Sequence, residues 1–138
     1  MYVCKHFKIY ELVDKKTYND RGEKAWQLFD PRLLKLLDQL RELFDAPITV
    51  NNWFWGGQFS NRGLRTSASS YYRPYSQHSF GRAVDFDVKG LTADESREKI
   101  RHWFSSELLD IDGIRMELGV NWVHLDVANC SGIIEFYP

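Results

Sequence analysis

Three stretches of the chain alternate polar and apolar residues with a period of two, the signature of strands with one wet and one buried face. In Ala83–Val88, Ala83, Asp85 and Asp87 fall on one side and Val84, Phe86 and Val88 on the other. In Gly113–Leu118, Ile114, Met116 and Leu118 point inward while Arg115 and Glu117 share the polar side. In Trp122–Val127, Trp122, His124 and Asp126 oppose Val123, Leu125 and Val127. A different period governs Leu33, Leu34, Leu37, Leu40, Leu43 and Phe44, whose three- and four-residue spacing predicts a helix over Pro31–Asp45. Asp30 is its N-cap, Pro31 takes the first helical position and Ala46-Pro47 stops it. A second helix, from Ala93 to about Ser106, starts at Thr92, which with Glu95 three residues on forms a capping box. Brief strands are expected at Ile48–Val50 and Ile133–Tyr137.

Between these elements the pattern is weaker. Phe7–Val13 fits a short strand or an irregular arm, and Asn19-Asp20-Arg21-Gly22 is a turn. Asn51–Tyr75 keeps no period and carries Gly56, Gly57, Gly63 and a serine run, so it is a long loop. Loops of that length in compact domains are functional or disordered, and the aromatic residues between Trp53 and Tyr75 favour the first. Trp53 and Trp55 fit either the wall of a groove or the core. No repeat or linker divides the chain. It is one α+β domain over residues 1–138, with helices on the apolar face of a mostly antiparallel sheet.

At 138 residues such a domain builds its core without disulfides or a structural metal. Cys4 and Cys130 lie at opposite ends with no CxxC spacing, which gives no support to a disulfide framework or a thiolate metal site and suits a reducing compartment. The net charge of −1 lacks the basic surplus that a nucleic-acid partner requires. No apolar run reaches membrane-spanning length, and the first residues lack the apolar stretch of a signal peptide. A protein made in a cytosol, with no membrane insertion and acting as a monomer, is the expectation.

The polar side of the three strands carries the chemistry. A turn centred on Val120-Asn121 pairs Leu118 with Val123 and sets Glu117 opposite His124, with Cβ atoms about 5 Å apart. His78 and Asp85 are separated by six residues that include a Gly-Arg step. Two histidines and a carboxylate on elements that bury their other sides suit an open metal site, with Glu117 beside it and free to act on a water. Asp87 and Asp126 lie on the same face as partners of the ligands or of solvent. His6 and His102 have no partners in the sequence and are structural. A second ligand choice stays open, since His124-Leu125-Asp126 with His78 also resembles a non-haem iron set.

His78-Ser79-Phe80-Gly81-Arg82-Ala83-Val84-Asp85 has the form HxxGxAxD. Together with Ser76 and Trp122-Val123-His124, it resembles the M15 family of zinc D-Ala-D-Ala carboxypeptidases and related peptidoglycan peptidases, whose fold is shared with hedgehog signalling domains. The likeness runs from about Ile48 to the C-terminus, and Asn51-Asn52-Trp53 through Arg65 is similar to the corresponding loop of short phage-type members. It implies Zn²⁺ on His78, Asp85 and His124, with Arg65 as the nearest match to a substrate-holding arginine. It further implies a peptide substrate from the bacterial wall stem, reached by phage lysis or virion delivery, with carboxypeptidase and endopeptidase action both open. Many members carry the catalytic carboxylate three residues before the last ligand, where this chain has Asn121. Either Glu117 is the base from the neighbouring strand, or the domain keeps the metal only for recognition.

Overall fold

In the computed structural model, which describes residues 1–138, the two long helices stand where their caps place them. The Asp30 carboxylate accepts the Arg32 N–H at 2.9 Å at the start of Pro31–Phe44, and Asp45 closes that helix with φ 50. Thr92 and Glu95 exchange both bonds of the capping box ahead of Ala93–Ser105. Leu33, Leu34, Leu36, Leu37 and Leu40 of the first are fully buried, as is Ile100 of the second. Burying one leucine side chain contributes about 1.5–3 kcal/mol, so this leucine row is a main attachment of helix to sheet.

Five strands form one sheet: β1 (Ile48–Thr49), β2 (Ala83–Val88), β3 (Gly113–Glu117), β4 (Val123–Asp126) and β5 (Gly132–Phe136), in the order β1-β2-β4-β3-β5. The β1–β2, β2–β4 and β4–β3 pairs are antiparallel. Val84, Phe86, Ile114, Met116, Val123 and Leu125 join the helix leucines in one core. The opposite side of β2, β4 and β3 carries the polar row.

The sheet is mostly antiparallel, as expected, and the exception is the last strand, since β5 runs parallel to β3. Because β4 runs antiparallel to β3, it ends beside the start of β3, and the chain crosses there, with the Gly132 N–H bonded to the Asp112 carbonyl at 2.9 Å. A strand launched from that end must run the same way as β3. At the N-terminus one expectation is revised and one open choice is decided. Asn19-Asp20-Arg21 is the last turn of a helix, α1 (Lys15–Arg21), capped by Asp14, and Gly22 at φ 53 ends it. Phe7–Val13 is an arm holding a 3-10 turn at Ile9–Glu11 and is not a strand. The arm is tied down by Asp38, a buried acid within the leucine helix, which accepts the Tyr2 hydroxyl and the N–H groups of Lys5 and His6.

Candidate metal centre

The long loop is ordered by side-chain to backbone bonds. Asn51 donates to the Val13 carbonyl at 3.2 Å and accepts the Arg62 N–H at 3.0 Å, and Asn52 accepts the Phe59 N–H at 2.9 Å. Its far end is stitched to the start of β2: the Asp85 N–H bonds the Arg62 carbonyl at 2.7 Å, and the Arg65 N–H bonds the His78 carbonyl at 3.2 Å. Two glycines let these segments pass close to the N-terminal part of the chain. A Cβ on Gly63 would lie 2.1 Å from the Leu12 carbonyl oxygen, and one on Gly81, at φ +67, would lie 2.0 Å from that of Leu28.

The loop carries His78 to the polar side of the sheet, where its Nδ1 lies 2.8 Å from the Gly63 carbonyl. A carbonyl only accepts, so Nδ1 carries a hydrogen, and it is Nε2 that would offer a lone pair to a metal once the ring is neutral. That Nε2 lies 3.3 Å from Asp85 Oδ2, and the other Asp85 oxygen is 2.8 Å from His124 Nδ1. Asp85 and His124 are register partners in β2 and β4, as are Glu117 and His124 in β3 and β4. One row across three strands therefore presents Asp85, His124 and Glu117, with His78 closing it from the loop. Donor atoms of His78, Asp85 and His124 all lie within 4.8 Å of one another, and all three residues are buried.

Charge is balanced inside this cluster. Burial pushes the Asp85 carboxyl up, but hydrogen bonds from His124 and His78 outweigh it and hold it well below the usual carboxylate range. Burial likewise disfavours a cationic His124, and its bonds to Asp126 and Asp85 more than reverse this, raising it to about 9. Half-buried Arg65 has its pKa lowered by desolvation, opposed by Asp85 and Glu117. Its Nη2 lies 3.2 Å from Asp85 Oδ2, and its Nε bonds the Asn61 carbonyl at 2.7 Å.

The cluster is the floor of an open cleft of about 410 Å³ whose walls include Arg65, Tyr75, Arg115, Glu117, Trp122 and Phe136. An adjoining groove of about 240 Å³ shares Arg65, Asp85 and Trp122 with it and adds Phe59 and Tyr71. All five residues singled out in the sequence, Arg65, His78, Asp85, Glu117 and His124, are thus brought together. Glu117 faces the cleft, its Oε2 3.9 Å from His124 Nδ1. Asn121 does not: it is exposed and lines a hollow on the other side of the sheet with Phe86, Val88 and Ser96.

Other expectations sort differently. Asp87 is exposed and pairs with Arg62 at 2.9 Å, away from the ligand cluster. Trp53 donates to the Val13 carbonyl and packs among Tyr18 and Phe54, while Trp55 is exposed, so neither walls the cleft. Asp126 approaches His124 at Nε2, at 2.9 Å, on the far edge of the ring from Asp85, and is gripped by Arg115. That placement separates it from the three clustered donors and disfavours the iron set. The sequence did not single out the aromatic walls Tyr75 and Phe136; the first lies in the aperiodic loop and the second on the edge strand, whose pairing the sequence does not specify.

The donor set suits zinc chemically. Two imidazoles and a carboxylate, each imidazole with its second nitrogen hydrogen-bonded, are the composition of a catalytic site that keeps a fourth position open. A structural site would be closed by four protein ligands. These features define a candidate metallohydrolase centre. The family described as Peptidase M15 matches residues 5–126, and the chain belongs to it. It is a member of a zinc metallopeptidase family. No match was found among curated proteins or among solved structures. No helix is long and apolar enough to cross a membrane.

Proposed function

We propose that the protein hydrolyses amide bonds in the stem peptides of bacterial peptidoglycan, with His78, Asp85 and His124 as zinc ligands and Glu117 as general base. The observation that carries this reading is the single row Asp85–His124–Glu117 across three strands, closed by His78. Zinc held there would acidify a water to a pKa of about 7 and polarise a scissile carbonyl.

The remaining work falls to side chains of this chain. Glu117, beside the donors but outside the ligand set, takes the proton of the attacking water and passes it to the departing amine as the C–N bond breaks. Arg65 has Nε and Nη2 committed to Asn61 and Asp85, and its remaining nitrogen serves the developing oxyanion or a substrate carboxylate. The apolar groove along Phe59, Tyr71 and Trp122 receives the peptide beyond the scissile bond. Peptidase M15 membership supports a peptide substrate. The likeness of HxxGxAxD to wall peptidases supports the stem peptide, with delivery by phage lysis or a virion.

Glu117→Gln tests the assignment. With purified peptidoglycan and zinc, release of new amines should fall about 10²–10⁴-fold while stoichiometric zinc is retained. Undiminished turnover in that variant would remove Glu117 from the role of base. Absence of new amines from the wild-type protein with zinc bound would instead favour a metal-binding recognition domain.

A further inference from the structure

The two imidazoles of the cluster are oriented by different means. His78 is set by a main-chain carbonyl, which no side-chain substitution removes. His124 is set by Asp126, a fully buried carboxylate whose Oδ2 faces Nε2 at 2.9 Å. A neutral imidazole carries one N–H, so a lone pair on Nδ1, the edge facing Asp85 and Glu117, requires the hydrogen on Nε2. A carboxylate that only accepts enforces that arrangement, provided it stays in plane with the ring.

A buried carboxylate with a single neutral partner is poorly held. Arg115 completes it. Its Nε donates to Asp126 Oδ1 at 2.7 Å and its Nη2 to Oδ2 at 3.1 Å, a two-pronged grip that fixes both oxygens. Three features place the guanidinium. Arg115 is the register partner of Asp126 across β3 and β4, its charge lies over the Phe136 ring at 4.9 Å, and it is two residues from Glu117 on the same strand face. Resting on the reading of the three donors as a zinc site, we infer that Arg115 is a positioning residue that, through Asp126, holds His124 with Nδ1 free for the metal.

The arrangement makes the His124 side of the site sensitive to side chains that never touch the metal. Asp126→Asn is informative, because Arg115 offers only donors and so draws the amide oxygen. The NH₂ then faces Nε2, which must accept, and the ring hydrogen moves to Nδ1.

The test uses the full chain. Zinc affinity is measured by competition with a chromophoric chelator, ¹⁵N-edited NMR reads the His124 ring in the zinc-loaded protein, and circular dichroism checks the fold. The wild type should show a slowly exchanging Nε2–H. Arg115→Gln should weaken zinc binding about 10–100-fold and lose that signal to exchange. Arg115→Lys should recover only part, since a point cation cannot grip both oxygens, and Asp126→Asn should lose at least as much as Arg115→Gln. A folded Arg115→Gln protein with wild-type affinity and a protected Nε2–H overturns the inference. Should Arg115→Gln not fold, the same result in Arg115→Lys overturns it. A wild-type chain that binds no zinc overturns the underlying zinc reading, and that outcome is distinct from unchanged binding across the variants.

Discussion

The two faces of β2, β4 and β3 are built from alternate residues of the same fifteen positions, yet they solve opposite problems. On the helix side, Val84, Phe86, Ile114, Met116, Val123 and Leu125 are almost wholly removed from water and contribute hydrophobic stabilisation without needing partners. On the cleft side, Asp85, His124 and Asp126 are nearly as buried, but each charge or ring nitrogen had to be given a partner. The first face holds the fold and tolerates any side chain of the right shape. The second is a cost that the fold carries so that four titratable groups can converge. Burial alone thus does not separate core from site; the demand for partners does.

The difference is broken most sharply by substituting one residue on each side. His78→Ala should abolish stoichiometric zinc binding, read by metal analysis. In metal-free protein it should lower unfolding stability by about 1.5–3 kcal/mol, through loss of its contacts to the Gly63 carbonyl and the charged Asp85. Phe86→Ala should cost about 3–5 kcal/mol by denaturant titration, because it leaves a cavity under the helices. Full zinc occupancy in His78→Ala would show that the donors are wrongly chosen. A collapse of the zinc-loaded wild type on chelation would show that the core does depend on the metal.

A smaller effect is expected from pH. In the metal-free chain His124 is raised to about 9 by Asp126 and Asp85, above its usual value. A group raised in the folded state stabilises fully below its unfolded pKa, about 6.5, and loses that contribution as pH climbs through the folded value. Chelated protein should therefore be less stable at pH 9.5 than at pH 6.5, measured as the denaturant midpoint. Zinc must displace that proton, so its affinity should rise over the same range. A midpoint that stayed level would mean that the polar face does not hold a cationic His124.

The smallest effect is expected at Asn121. Its side chain lies on the helix side of the sheet, outside the cleft, so Asn121→Asp should leave turnover within a few-fold of wild type in the same amine-release assay. A clear gain would place a base there and displace Glu117 from the role.

How much of this was legible depended on the range over which each feature is encoded. Strand faces, both long helices and their caps follow from residues two to four apart, and the Glu117–His124 register followed because a short connection between β3 and β4 leaves few ways to pair them. The spacing of His78 and Asp85, with Gly81 between, was readable for the same reason. Tertiary structure alone decided the rest. The parallel course of β5 depends on which end of the sheet the chain crosses, and helix α1 owes its place to Asp14 and packing where no apolar period announces it. The Gly63 carbonyl meets His78 only because a long loop folds back over fifteen residues. The link Arg115–Asp126–His124 likewise joins side chains whose partnership depends on strand register and ring orientation together, whereas the sequence pattern reports only that all three share a face.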